Sequence, residues 1–181
     1  FQPLRHLLGD DSPHRDLPAS WIPQRALLLS RKWSPASMAA LHVARQAVAD
    51  AGWTAADLAD AALFLGTSRG TAAGWVDPWP ERRAFSLMSA SNSLHSEPAA
   101  AVSIELGIRG PWQVLASGCA AGLDALGMAA LWLHAGLAPR ALVIAVDLPL
   151  SPSLLDSYGA TGILSRNGVN DIFPQPEKSQ R

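Results

Sequence analysis

The order of apolar and polar positions divides the chain into short stretches that alternate between helix-like and strand-like periods. Ser34 and Pro35 open the first. Serine is a strong N-cap, and proline is tolerated at the first helical position because its missing N–H would have no partner there. Met38, Leu41, Ala44, Ala47 and Val48 follow at helical spacing, and Gly52 stands where a C-capping glycine belongs. The pattern predicts a helix over 35–51. Thr54 to Asp57 carries a second, shorter capping signal. Residues 61–65 are apolar throughout and run into Gly66-Thr67-Ser68-Arg69-Gly70, which reads as a buried strand delivering the chain into a loop. Residues 70–95 have no period. Ser96, Glu97 and Pro98 start a helix over 97–106 closed by Gly107, Arg109-Gly110-Pro111 makes a turn, and 112–115 is a short strand. Residues 123–134 are apolar nearly all round, so a buried helix is predicted, ending at Gly136. Residues 141–146 are apolar at every position, as in a parallel strand covered on both faces.

The two ends differ from this middle. Residues 1–30 carry four prolines (Pro3, Pro13, Pro18 and Pro23) and read as an irregular lead-in. After Pro149 the chain turns polar, and 165–181 reads as loop or tail. Helix, strand, loop, helix, strand, helix, strand is the order of an α/β fold with layered elements and right-handed crossovers.

Composition narrows the classes. Of 181 residues, 49% are hydrophobic and 16% charged, which excludes disorder for most of the chain. So low a charge also suits a chain with apolar surface covered by a partner. Lys+Arg 14 against Asp+Glu 15 gives a net charge of −1, without the basic footprint of a nucleic-acid binder. No apolar run approaches the ~18 residues of a membrane span, and the first residues lack the form of a signal peptide. A single cysteine, Cys119, excludes an internal disulfide and a cysteine-rich zinc site. A reduced, cytoplasmic protein with no metal or resident cofactor is the expectation.

Candidate chemistry centres on Ala116-Ser117-Gly118-Cys119-Ala120-Ala121-Gly122, between the strand 112–115 and the helix that follows. A helix start carries partial positive charge, which favours thiolate. Its free N–H groups suit a developing oxyanion. The small neighbours leave room for a substrate carbonyl. An inert, buried cysteine fits the same spacing, since free cysteine is among the most buried residue types. The nucleophile elbow of an α/β-hydrolase does not fit: it needs glycine two before and two after the nucleophile, and Ser117 and Ala121 stand there.

From about residue 30 to residue 165 the chain resembles the N-terminal half of a β-ketoacyl-acyl-carrier-protein synthase, of the thiolase fold. The matching phrases, in order, are Ala39 to Gly52 (AALHVARQAVADAG), Leu63 to Gly70 (LFLGTSRG), Gly107-Ile108-Arg109-Gly110-Pro111, the Cys119 turn, and Gly136 with Leu142 to Val146. The resemblance implies a thiolase-like layered fold with a largely parallel sheet and a buried nucleophile-bearing helix. It places a ketosynthase-like domain over 31–165, with 166–181 as a polar tail or the start of a further segment. It implies that Cys119 accepts an acyl group from the phosphopantetheine arm of an acyl carrier protein, for condensation in fatty-acid or polyketide biosynthesis.

Departures from the family pattern shape the expectation. The two histidine motifs of the family's C-terminal half have no counterpart among His6, His14, His42, His95 and His134. The usual first-strand phrase is missing, and Gly118 stands where the family commonly has alanine. Two arrangements fit: the N-terminal part of a complete ketosynthase, or a short, chain-length-factor-like subunit that pairs with a full one. The phrase over 85–104 (FSLMSASNSLHSEPAAAVSI) favours the second. In either, the chain is not expected to condense substrates alone, and it forms a homodimer or a heterodimer with a full-length ketosynthase, the strand 112–115 pairing across it. Two other classes stay open: a cysteine hydrolase or acyltransferase using Cys119 with His95, and a non-catalytic interaction protein. Trp75 and Trp79 are candidates to line an acyl channel or cover a partner, or plain loop packing; Phe85 and Met88 are candidate acyl contacts or core residues, and Arg69, Arg82 and Arg83 candidate carrier contacts or plain solvated charges.

Overall fold

The computed structural model describes residues 2–4, 11–19, 22, 24–72, 94–148 and 151–164. Trp75, Trp79, Arg82, Arg83, Phe85, Met88 and the tail 165–181 lie outside them. Two compact units are present, Pro23–Ser151 and the pair of end segments Phe1–Ile22 with Pro152–Arg181.

The larger unit begins with a 3-10 turn, Arg25–Leu28, and then α1 (Pro35–Asp50). Ser34 caps α1 as its sequence predicts: its Oγ accepts the Ser37 N–H at 3.2 Å. The Ser34 N–H in turn donates to the buried Glu97 carboxylate at 2.9 Å. Glu97 is the first residue of α3 (Glu97–Leu106), so this bond ties the starts of two helices together. Ser96, read as the cap of α3, adopts helical φ/ψ and makes no side-chain cap bond. Between these helices lie α2 (Ala55–Ala59), held by a full Thr54–Asp57 capping box, and β3 (Ala62–Gly66). β4 (Trp112–Leu115), α4 (Ala121–His134) and β5 (Ala141–Ala145) complete the unit.

The three strands form a parallel sheet in the order β4-β3-β5. Leu63 pairs with Trp112 on one side and Leu142 on the other. β3 is central and buried at all five positions. Its alternation serves two layers, because side chains on a strand point to opposite faces. Leu63 and Leu65 join Leu41, Ala44, Ala99, Val102, Leu142 and Ile144 in a core under α1 and α3. Ala62 and Phe64 face α4, where Ala125, Ala129 and Ala138 close a second core. The Trp132 ring meets Phe64 edge-on, with centroids 5.4 Å apart.

The expectation that α4 is buried all round needs correction. Only Ala121, Ala125 and Ala129, a stripe at i, i+4 and i+8, are buried against the sheet. Leu123, Leu126, Leu131 and Leu133 on the rest of the circumference are exposed. Small residues let the helix sit close to the strands, and the leucines point away from that contact. β5 is likewise only alternately buried, and Trp112 and Gln113 of β4 are exposed on the outer strand of the described sheet.

In the smaller unit, two residue pairs form an antiparallel bridge, β1 (Gln2–Pro3) with β2 (Pro18–Ala19). A helix the hydropathy pattern does not reveal, α5 (Pro152–Thr161), places Asp156 to accept the Ser12 hydroxyl at 2.6 Å. Among the described residues, no helix is long and apolar enough to cross a membrane.

Candidate functional site

The chain leaves β4 at Leu115 and reaches α4 through a 3-10 turn, Gly118–Ala120. Gly118 has φ +72° with nothing within 4 Å of where a Cβ would stand. Glycine is required there for the left-handed backbone, not for space. That reversal lifts Cys119 onto the turn, where its thiol is exposed. The cysteine is therefore not the buried one that the same spacing allowed. Ala121 N–H closes the turn on Gly118 O, and α4 follows without a break. The N-cap of α4 is Ala120, whose side chain has no acceptor to offer the first-turn N–H groups.

Two strand ends press on this helix start. A Cβ on Gly66, the last residue of β3, would lie 2.2 Å from Ala121 O and 2.6 Å from Gly122 N. One on Gly122 would lie 2.8 Å from the Ala145 Cβ at the end of β5. The two glycines thus let three backbones converge just after Cys119. The C-terminal edge of a parallel sheet is where open α/β folds place their ligands. An open cleft of about 560 Å³ runs beside the turn, lined by Leu115, Ala116, Ser117, Leu123, Asp124, Gly127 and Met128. Its walls are mainly apolar; Cys119 is next to it in the chain but does not line it. The Ser117 hydroxyl donates to the Asp124 carboxylate across the turn.

A second polar group gathers at the ends of β3 and β5. Asp147 Oδ1 accepts from the Arg69 N–H at 3.2 Å and from the Thr67 hydroxyl at 3.5 Å. Thr67 Oγ1 accepts the Gly70 N–H at 2.8 Å. Burial pushes the Asp147 carboxyl above its usual range, and those hydrogen bonds and Coulombic interactions with Arg69 and His95 pull only part of the way back. His95 therefore belongs to this group: its Cα would be 3.0 Å from a Cβ on Gly70. Among the described residues, no hydrogen bond joins it to Cys119. His42 is half-buried on α1 and His134 exposed at the end of α4. Among the described residues, no cluster could hold a metal ion.

Ser117, Asp124, Thr67 and Asp147 were not singled out from the sequence. Asp147 had a signal: it is the first charge after an all-apolar strand, at the C-terminal end of the sheet.

The sequence profile described as "Beta-ketoacyl synthase, N-terminal domain" matches residues 22–176. The chain belongs to the β-ketoacyl synthase family. Over 149 residues the chain is 34% identical to "Polyketide synthase ThaG" of Burkholderia thailandensis, a match covering 81% of the chain and 2% of that protein. Its fold is similar to the crystal structure of a β-ketoacyl synthase from Burkholderia phymatum, with a TM-score of 0.51, 18% identity, and coverage of 86% of this chain and 39% of that one. The domain thus spans a small part of the curated relative and well under half of the solved one. The layered α/β arrangement and the parallel sheet are those of the thiolase-like ketosynthase fold.

Proposed function

We propose that this ketosynthase domain works in polyketide-type or fatty-acid-type biosynthesis, where Cys119 accepts an acyl group carried on the phosphopantetheine arm of an acyl carrier protein. The supporting observation is the exposed Cys119 thiol on the turn that opens α4, beside the ends of parallel strands. The thiol loses its proton, and the sulfur attacks the thioester carbonyl. A new C–S bond forms as charge moves onto the oxygen. Collapse of that oxyanion breaks the C–S bond to the carrier, whose thiolate takes up the proton. The first-turn N–H groups of α4 after Ala121, which have no side-chain cap, are donors of the kind that stabilise such an oxyanion.

The domain acts as a partner, chain-length-factor-like, of a full-length ketosynthase, in the cytoplasm and with no resident cofactor. Condensation would need donors for the carbanion left by decarboxylation of a malonyl unit. None of the five histidines stands in the family's histidine motifs, and acyl transfer without condensation is the expected activity of the chain by itself.

The test is intact mass after incubation with an acyl-pantetheine thioester. The expected result is one acyl adduct, mapped to Cys119 and absent in Cys119→Ala. Alkylation of Cys119 by iodoacetamide without any acyl adduct would refute acyl acceptance. Steady release of free acid would instead favour the hydrolase.

A further inference from the structure

The turn that carries Cys119 is poorly held by packing. Gly118 has open space around it, and Cys119 and Ala120 are both exposed. Ala120 cannot supply a side-chain cap to α4. Hydrogen bonds hold the turn instead, and two of them bracket Cys119. One is the Ala121 N–H to Gly118 O contact. The other is the hydrogen bond from the Ser117 hydroxyl to the Asp124 carboxylate, which closes a ring from two residues before Cys119 to five after it. A neutral donor on an ionised acceptor makes a charge-assisted bond, stronger than a neutral pair. Asp124 also lies in the first turn of its helix, where a carboxylate is favoured by the helix dipole.

We propose that Ser117 and Asp124 are positioning residues: their hydrogen bond is a clip that holds the Cys119 turn in the geometry needed for acyl transfer. The role of the clip in transfer rests on the reading of Cys119 as the acyl acceptor. The physical need is clear from the reaction. A nucleophile must sit within roughly 3–3.5 Å of the carbonyl carbon and in line, and a displacement of ~1 Å can cost ~100-fold in rate. An exposed polar pair adds little to global stability. The clip therefore acts on the rate at Cys119 while leaving the melting temperature nearly unchanged.

The experiment compares S117A, D124A, S117A/D124A and D124N in the full chain. Two readouts are taken: the second-order rate of Cys119 acylation by an acyl-pantetheine thioester, and hydrogen exchange of the amides at 118–122. Each single alanine variant is expected to lower the rate ~10-fold or more and to speed exchange at the turn. The double variant falls no further than either single one, because both remove the same bond. D124N keeps an oxygen to accept the Ser117 hydroxyl and recovers most of the loss. Losses that multiply in the double variant would overturn the clip, as would D124N as impaired as D124A, or unchanged exchange at 118–122. An unacylated parent chain refutes the acyl-acceptor reading instead, and exchange alone then decides whether the clip holds the turn.

Discussion

A single methyl group separates the roles of two glycines around the candidate site. On Gly66 it would run into the Ala121 carbonyl, a backbone atom that cannot swing aside. Gly66→Ala should therefore push α4 off the sheet and cost roughly 1–3 kcal/mol or more, as overpacking does. On Gly118 the methyl meets nothing but forces an L-residue into left-handed backbone, at roughly 1–2 kcal/mol. Urea unfolding of the two variants should rank Gly66→Ala as the more damaging; the reverse order would mean that space at the helix start is not what the glycines supply. Charge at the same sheet edge gives a pH signature. The Asp147 carboxyl is raised in the folded chain, so over the interval above the ordinary aspartate range the folded state holds a proton that the unfolded state has lost. Stability from this group falls as pH rises through the folded value, and the cost is fully present above it. Asp147→Asn keeps an oxygen for the Arg69 N–H and the Thr67 hydroxyl and removes the charge. Its urea midpoint should exceed the parent's at pH 7 and approach it near pH 3. An asparagine variant less stable at pH 7 would show that the anion is favoured there.

At the level of elements, the helices with both a start and a stop signal were legible. α1 runs from Pro35 to Asp50, with Ser34 as cap and Gly52 in the left-handed region, and α3 covers the predicted 97–106. Ser34→Ala tests the first signal. It removes the acceptor for the Ser37 N–H but leaves the backbone N–H that donates to Glu97, so about 1 kcal/mol should be lost, seen as a lower unfolding midpoint. α5 escaped notice although Ser151-Pro152 repeats the Ser34-Pro35 signal, because the residues after it lack a clear apolar period. α4 was legible in position but not in burial. Hydropathy cannot tell a helix covered by its own chain from one whose second face is left open, and the covering stripe is alanine rather than leucine. The site divides the same way. The place of Cys119 follows from strand, glycine and helix in local order. The groups Ser117–Asp124 and Asp147–Thr67–Arg69 come from side chains seven and about eighty residues apart, which no local period brings together.

At the scale of the whole molecule, the described residues leave α4 with one side exposed. Leu123, Leu126 and Leu131 are 72%, 55% and 58% exposed along α4, and Trp112 is exposed on the outer strand of the described sheet. Single exposed leucines are ordinary on a protein surface, but several on the uncovered side of one helix are apolar surface of the kind that marks an interface. The backbone of such a strand is also open to pairing with another chain. A partner that covers α4 would remove this apolar area from water, at roughly 25 cal/mol per Å². The partner role proposed for the chain therefore predicts that it does not remain a simple monomer when alone. It should self-associate in sedimentation and bind a hydrophobic dye such as ANS at micromolar concentration. Leu126→Glu with Leu131→Glu should abolish both. Because neither side chain is in either core, the unfolding midpoint of the dissociated variant should stay close to that of the parent measured at high dilution. A parent chain that sediments as a monomer and leaves the dye dark would mean that the leucine face is tolerated in water, and the case for a covering partner would lose its physical basis.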